Sequence, residues 1–194
     1  MYEHKLIYSV FIMVFMVAMF AVRFIELRWC VVSKEKGKVK ENWTVPVLGL
    51  AYLLTITASL YEYFSLKREI NGIIFTAAIF LMCVRFVLKY WSARTLGEYY
   101  SPRVEIRNQH KLVQSGPYRW VRHPIYLARI IDSLSLPLLA GACITAFFSV
   151  LLHILILQVR INIEERALVE EFGDEYVRYR QSTPAYIPGL RIKL

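Results

Sequence analysis

Long apolar runs dominate this sequence and restrict the chain to a membrane fold. Three runs carry at most one charge each and are 17, 22 and 19 residues long, namely residues 6–22, 45–66 and 70–88. About 20 consecutive apolar residues cross the hydrocarbon core of a bilayer as a helix. Each run therefore predicts one transmembrane helix.

A fourth apolar stretch, residues 125–159, is too long for a single span. Its 35 residues would reach about 52 Å as one helix at 1.5 Å per residue. Pro137 and Gly141 lie in its middle and favour a break there. We expect a helical hairpin of residues 125–136 and 142–159. The predicted fold is an all-α integral membrane protein with five transmembrane helices, the last two of which form this hairpin.

The first run has an alternative interpretation as a cleaved signal peptide. Only Lys5 precedes it as a basic residue, its apolar core is longer than usual, and no A-x-A cleavage site follows. The pattern therefore favours a membrane helix.

Composition excludes several other classes of protein. Apolar residues make up 57% of the chain and charged residues 20%, whereas soluble domains are roughly 45–50% apolar. These values exclude a disordered chain, a collagen and a disulfide scaffold. The net charge of +9 could by itself indicate a nucleic-acid partner.

The basic residues follow the positive-inside rule instead. With the N-terminus outside, twenty of the 24 Lys and Arg residues fall on one side of a five-helix protein, in segments 23–40, 89–129 and 160–193. Lys5, Lys67 and Arg68 fall on the other side. The charge thus predicts a cytoplasmic C-terminus and no nucleic-acid partner.

The three cysteines, Cys30, Cys83 and Cys143, lie in or beside apolar runs. They form no CxxC pair and no Cys/His metal spacing. We expect reduced, buried packing residues and no metal site.

The residues outside the predicted helices concentrate in two cytoplasmic pieces, 92–124 and 161–194. Both are rich in Tyr, His, Arg and Glu. They contain more of these polar residues than a simple connecting loop needs. We therefore divide the chain into an N-terminal three-helix membrane region, residues 1–91, and a functional core, residues 92–194. The core contains the hairpin and the C-terminal cytoplasmic segment.

Several common chemistries have no support in the sequence. The eight glycines are scattered singly, so neither GxGxxG nor GxxxxGK[ST] is present. HExxH and GxSxG are also missing. The sequence therefore gives no support for a soluble nucleotide-binding fold or for hydrolytic metal or serine chemistry.

One segment, residues 110–126, is dense in functional groups. Gly116 and Pro117 predict a tight turn, and Pro124 suits the first position of a helix. The N–H groups at the start of such a helix can bind a carboxylate or another anion. Arg122 and His123 add donors there. Interfacial anchoring is the alternative, since Arg, Tyr and Trp collect at membrane boundaries.

A second group of polar residues lies at the cytoplasmic end of the fifth helix. Arg160 and Glu164 are four residues apart and share a helix face, while Glu165 lies about 100° further round. Two adjacent carboxylates near a membrane are costly unless they meet cations. A salt-bridged extension of the helix is the alternative interpretation.

Together these segments resemble a known family. The sequence reads G-P-Y-x-x-x-R-H-P-x-Y over residues 116–126, R-x-x-x-E-E-x-x-L over 160–168, and E-E-F-G-D-E-Y-x-x-Y over 170–179. With the intervening hairpin, this order resembles the isoprenylcysteine carboxyl methyltransferases and the related phospholipid N-methyltransferases. The resemblance covers roughly residues 111–188.

The resemblance implies an enzyme that uses S-adenosylmethionine (SAM) in a cytoplasm-facing pocket closed by the C-terminal segment. It implies that Arg160 and Glu164 face the reacting groups as catalytic residues, and that Glu165 holds the ammonium of SAM. The other residues that it assigns to the cofactor are His110, Lys111, Leu112, Val113, Gly116, Tyr118, His123, Pro124 and Tyr126. The implied acceptor is a prenylated or other lipid-like molecule that enters from the bilayer.

The resemblance leaves the acceptor group open. A carboxylate acceptor needs an arginine to orient it and no base, whereas an amine acceptor needs a nearby carboxylate to accept a proton. Arg160 beside Glu164 suits either, and the lack of other bases favours the carboxylate. A reductase of the sterol-reductase type that uses NADPH remains an alternative, because residues 187–189 read I-P-G as in that group. A non-catalytic membrane scaffold or small transporter is the third possibility.

Five charged or titratable residues lie within the predicted helices. Arg129 and Asp132 are three residues apart and can pair on one face, and His153 can lie near them in the hairpin. Such groups are candidates for a substrate tunnel, although Arg129 is also close enough to the interface to extend towards it. We expect Arg85 and Glu62, near helix ends, to be interfacial.

Overall fold

A computed structural model describes residues 2–30, 38–41, 43–66, 71–101, 104–106 and 111–186. These residues form a helical bundle with one small antiparallel sheet. The elements are α1 (Tyr2–Cys30), β1 (Lys38–Glu41), α2 (Thr44–Ser65), α3 (Gly72–Leu96), β2 (Val104–Ile106), α4 (Pro124–Leu139), α5 (Cys143–Phe172) and α6 (Asp174–Ser182). The predicted helical class is confirmed, and the β1–β2 sheet was not predicted.

The helices keep the predicted order but not the predicted lengths. α3 and α5 continue well beyond residues 88 and 159, where their apolar runs end. Polar residues do not stop a helix unless they compete for its backbone, so hydropathy marks the membrane boundary and not the helix end. α2, α3 and α5 are long and apolar enough to cross a membrane. α4 has 16 residues, or about 24 Å.

The predicted hairpin is present between α4 and α5. Pro137 lies inside the last turn of α4 and does not end the helix. The turn follows, where the N–H of Gly141 donates to the carbonyl of Leu138 at 2.9 Å. Gly141 has φ +68°, a conformation that costs glycine little.

Contacts between distant residues show that neighbouring helices run in opposite directions. At one end of the bundle, the start of α2 meets the C-terminal half of α5 through Thr44 and Arg160. At the other end, Glu62 near the end of α2 accepts hydrogen bonds from the N–H groups of Ile144 and Thr145 at the start of α5. Glu62 is thus buried as a cap for α5, and its interfacial position stays a prediction.

The interior of the bundle contains a buried ion pair between α3 and α4. The Arg85 Nε lies 3.3 Å from the Asp132 Oδ1, and the two side chains are 0% and 1% exposed. The expected interfacial position of Arg85 is therefore wrong, and Asp132 pairs with this arginine across the helices. His153 is also buried, with Nδ1 2.9 Å from the carbonyl oxygen of Ser149 in its own helix.

The outer surface of the bundle is apolar, as a lipid environment requires. Large exposed side chains include Phe80 on α3 and Phe147 and Leu155 on α5. Cys83 and Cys143 are free thiols on this exposed surface, so their expected burial is wrong. The side chain of Cys30 lies outside the described residues.

Candidate active site

A cleft lies at the end of the bundle where α2 and α4 begin. Its walls are residues 111–113, the start of α4, the C-terminal half of α5, and α6, and it has about 1010 Å³ of empty volume including its open mouth. Aromatic, aliphatic and basic side chains line it.

Most of the predicted site residues line this cleft. Those that do are Lys111, Leu112, Val113, Tyr118, His123, Pro124, Tyr126, Arg160 and Glu164. Gly116 and Glu165 lie behind its wall, and His110 is outside the described residues. The structure thus brings together segments that are separated by the whole hairpin.

Gly116 does not line the cleft, but it allows the turn that precedes one wall of the cleft. It begins a short 3₁₀ turn, Gly116–Arg119, with φ +58°. A Cβ at this position would lie 2.7 Å from the Thr95 Oγ1 and 3.3 Å from the Trp91 Nε1. A glycine is required here because the turn packs directly on α3. The same turn contains Tyr118.

His123 and Tyr126 form one aromatic wall at the start of α4. Their rings stack with centroids 5.4 Å apart and an interplanar angle of 10°. Pro124 between them opens the helix, where its missing N–H is not needed. One helical turn thus presents an imidazole and a phenol side by side.

A hydrogen-bonded cluster joins three helices at the floor of the cleft. The Arg160 Nε donates to the Tyr126 hydroxyl at 2.7 Å, and that hydroxyl donates to the Glu164 carboxylate. The Arg160 Nη1 donates to the Thr44 Oγ1 at 2.5 Å. Arg160 is only 2% exposed, so its guanidinium is held in place inside the site.

Glu165 belongs to a second hydrogen-bonded cluster, which lies behind the wall of the cleft. Its Oε1 accepts hydrogen bonds from Nε and Nη2 of Arg122, at 3.0 and 2.7 Å, and lies 3.1 Å from the His123 Nε2. The Arg122 Nη1 also donates to the carbonyl oxygens of Arg180 and Thr183. The carboxylate therefore joins α5 to the start of α4 and to the chain after α6.

The backbone N–H groups just before α4 are already hydrogen-bonded. Arg122 donates to the carbonyl of Pro184 at 2.9 Å, and His123 donates to that of Ala185 at 3.0 Å. These two groups precede α4, so the anion site predicted at the N–H groups of its first turn stays a prediction. They hold the C-terminal segment against the site.

Two buried tyrosine hydroxyls on the cleft wall have no hydrogen-bond partner among the described residues. They belong to Tyr118 and Tyr176. Burial raises the pKa of both phenols well above the ordinary value, so each hydroxyl keeps its proton. The Tyr179 hydroxyl, in contrast, donates to the carbonyl of Tyr118 at 2.6 Å. Tyr118 and Tyr176 can thus donate hydrogen bonds to a ligand.

Sequence reasoning assigned no role to Tyr176 or Tyr179, and it treated Arg122 only as an added donor at the start of α4. All three line the cleft. The Y-x-x-Y pattern of α6 was a usable signal, because residues three apart share a helix face. Arg129, which was weighed only as a tunnel or interfacial residue, also lines the cleft.

The cleft is electrostatically positive. Lys111, Arg122, Arg129 and Arg160 line it, and Glu164 is the carboxylate among its lining residues. Arginine guanidinium groups match carboxylates in charge and geometry. The site is therefore suited to a ligand with anionic groups.

Comparison with known proteins identifies similar sequences. The model of the isoprenylcysteine carboxyl methyltransferase (ICMT) family matches residues 76–170, which include the hairpin and the Arg160–Glu165 segment. The protein-S-isoprenylcysteine O-methyltransferase of Schizosaccharomyces pombe is 35% identical over 116 residues, which are 58% of this chain and 49% of that enzyme. The chain thus aligns with about half the length of this relative.

A bacterial relative is similar over most of its length. The uncharacterized protein YpbQ of Bacillus subtilis (strain 168) is 26% identical over 147 residues, 72% of this chain and 87% of that protein. Among solved structures, the eukaryotic intramembrane Ras methyltransferase ICMT superposes with a TM-score of 0.64 at 24% identity. The match covers 75% of this chain and 53% of that one, and it confirms the membrane fold.

Proposed function

Since this chain belongs to the isoprenylcysteine carboxyl methyltransferase family, we propose that it is a SAM-dependent membrane methyltransferase that methylates the carboxylate of a prenylated, isoprenylcysteine-type acceptor. The observation that carries this proposal is the buried Arg160–Tyr126–Glu164 cluster on the floor of the positive cleft. The protein is an integral membrane protein, as its family and its apolar helices require.

The proposed topology has five spans, with the N-terminus outside and the cleft in the cytoplasm. The antiparallel contacts support it, because they bring the start of α2, the start of α4 and the C-terminal half of α5 to one end. That end also carries most of the basic residues. α4 is short for a span, but its neighbours α3 and α5 cover it on both sides. The division at residue 91 remains a prediction, and α3 crosses that position.

The residues of the cleft fit SAM, which would supply a methyl group on a positively charged sulfonium. The unpaired hydroxyls of Tyr118 and Tyr176 can donate to its polar groups. Lys111, Leu112 and Val113 would hold it from one side, and His123, Pro124 and Tyr126 from the other. Cationic side chains suit its carboxylate, and aromatic rings suit its sulfonium.

The two glutamates differ in what they can do for the cofactor. Glu164 lines the cleft and is the carboxylate available to a cationic part of the ligand. Glu165 was expected to bind the ammonium, but its contacts with Arg122 and His123 support a positioning role. We therefore propose that Glu164 faces the cation and that Glu165 orients His123.

Arg160 is proposed to bind and orient the acceptor. A carboxylate is ionised at neutral pH, so methylation of its oxygen requires no general base. What remains is alignment of the reacting atoms at about 3–3.5 Å, and a guanidinium fixed by Tyr126 and Thr44 is well suited to that task. An amine acceptor is the second candidate, because Glu164 could accept the proton that an amine must lose.

A labelled-methyl assay tests the proposal directly. The purified protein in lipid vesicles would receive SAM with a labelled methyl group and a farnesylated cysteine with a free carboxylate. The methyl ester of the same compound is the matched control. We expect the labelled methyl group to be transferred to the free acid and not to its methyl ester. Label in phosphatidylethanolamine would favour the amine acceptor, and affinity for NADPH without affinity for SAM would contradict the proposal.

A conservative variant tests the role of Arg160. Arg160→Lys keeps the charge but loses the planar fork that reaches both Tyr126 and Thr44. Turnover should fall by about tenfold or more, and SAM affinity should stay within about threefold. A large loss of SAM affinity would instead assign Arg160 to the cofactor.

A further inference from the structure

In the sequence, Thr44 comes well before the segment that the family model matches. In the structure, its side chain contacts Arg160 in the cleft. Thr44 is the first residue of α2 and is 0% exposed. Its Oγ1 accepts a hydrogen bond from the Arg160 Nη1 at 2.5 Å, across 116 positions of sequence. The family model begins at residue 76, so this contact comes from a part of the chain that the model does not cover.

The guanidinium of Arg160 is held at two of its nitrogens by two different helices. The Nε donates to Tyr126 on α4, and the Nη1 donates to Thr44 on α2. Anchors at two nitrogens restrict the plane of a guanidinium more than a single anchor does. Both acceptors are neutral hydroxyls, so these two bonds set the orientation of the guanidinium without neutralising its charge.

The small sheet lies just before Thr44 in the chain. β1 ends at Glu41, three residues before Thr44, and pairs with β2 in antiparallel register, Lys38 opposite Ile106 and Val39 opposite Glu105. β2 precedes residues 111–113 on the cleft wall, and both strands contact α5. The start of α2 is therefore connected to the wall of the cleft and to the helix that carries Arg160.

We propose that Thr44 is a positioning residue for Arg160: its hydroxyl sets the plane of the guanidinium that aligns the acceptor carboxylate. The inference rests on the proposed function and adds a residue to it. Thr44 is absent from the lining of the cleft, so it acts through Arg160 and not on the ligand. Its loss should therefore lower turnover and leave SAM affinity unchanged.

The test compares Thr44→Val, which removes the hydroxyl at nearly constant shape, with Thr44→Ser, which keeps it. We expect kcat to fall about tenfold in Thr44→Val, with SAM affinity within about twofold. Thr44→Ser should restore kcat to within about twofold of the wild type. The control is Thr57→Val on the same helix, where the exposed hydroxyl bonds only to carbonyls of its own turn, and which should behave as the wild type.

Combination with Arg160→Lys separates positioning from a general loss of stability. If Thr44 acts through Arg160, the double variant should be no slower than Arg160→Lys alone. Multiplied losses, full turnover of Thr44→Val, or failure of Thr44→Ser to restore turnover would each overturn the proposal.

A second measurement tests the contact between Thr44 and Arg160 independently of the proposed function. If the wild type methylates no farnesylated cysteine, the proposed function fails, but the contact is still testable by thermal unfolding of Thr44→Val, Arg160→Met and their combination. Non-additive losses of stability would support the anchor. Additive losses would overturn it whatever reaction the protein catalyses.

Discussion

Glu164 and Glu165 are adjacent in the chain, but their carboxylates meet different surroundings. Glu164 lines the cleft and accepts a hydrogen bond from Tyr126, while Glu165 is bound by Arg122 and His123 behind the wall. A buried guanidinium that loses its carboxylate is left uncompensated, which is strongly destabilising. The roles that we propose for the two residues therefore differ: ligand contact for Glu164 and support of the wall for Glu165.

Neutral variants of the two glutamates should separate these roles. Glu165→Gln should lower the melting temperature, because Arg122 and His123 lose a charged partner. Glu164→Gln should keep the melting temperature close to that of the wild type and reduce methyl transfer. Differential scanning fluorimetry and the labelled-methyl assay on both variants check this. Equal melting temperatures would contradict the supporting role of Glu165.

The hydroxyl of Tyr176 gives a prediction about the cofactor. Tyr176→Phe removes a buried donor that has no partner among the described residues, so stability should not fall. The dissociation constant of SAM should rise about 2- to 10-fold, the range of one ordinary hydrogen bond. Calorimetric titration measures it.

Tyr179→Phe is the matched control for Tyr176→Phe. Its hydroxyl donates to the carbonyl of Tyr118, so its removal should lower stability in addition to any effect on SAM. If Tyr176→Phe binds SAM as tightly as the wild type, the hydroxyl has no part in cofactor binding.

At the scale of elements, α3 and α4 are joined by the buried Arg85–Asp132 pair. Ionisable groups within a membrane are costly to bury, so they pair with each other or serve a function. α4 carries Tyr126 and Arg129 in its first two turns, and His123 immediately precedes it. The pair holds the helix that presents these side chains to the cleft, so it supports the site without lining it.

Substitution of this pair should show strong coupling. Arg85→Met or Asp132→Leu alone leaves one uncompensated buried charge and should cost about 3–5 kcal/mol of unfolding free energy. The double variant should lose clearly less than the sum. Denaturant unfolding in detergent micelles measures this, with the exposed Arg94→Met on α3 as the control. Additive losses would show that the two charges do not stabilise each other.

At the scale of the whole molecule, the bundle has two different ends. One end carries the cleft, and the other carries the contacts of Glu62 with α5 and of Ser9 with Tyr63. This arrangement follows from helices that alternate in direction, which is also what the distribution of basic residues predicts. The cleft end is the end that we place in the cytoplasm.

Cysteine labelling in sealed membrane vesicles tests this topology. In a chain whose own cysteines are replaced by serine, Lys36→Cys and Lys193→Cys should react with an impermeant reagent only from the cytoplasmic side. Lys67→Cys, between α2 and α3, should react only from the other side. Labelling of Lys36→Cys and Lys193→Cys from opposite sides would contradict five spans and the shared cytoplasmic cleft.

The helices, their order, the hairpin and the family follow from the sequence by itself. The signals behind these predictions are local properties of the chain. They are the length of apolar runs, a proline and glycine within a long run, and motif spacing, and each concerns one or two helices. Nine of the site residues implied by the family resemblance line the cleft, because the order and spacing of motifs identified the family. The helices were predictable because the membrane imposes a simple rule on helix length and charge.

Only the tertiary structure decided which polar side chains meet. Arg85 and Asp132 pair across two helices, Glu62 caps a helix 82 positions further on, and Thr44 reaches Arg160. Glu164 and Glu165 have different partners although their sequence signals are alike. The physical reason is that hydrophobicity is a property of each segment, whereas the partner of a buried charge depends on how the segments pack together, and local sequence does not specify that packing.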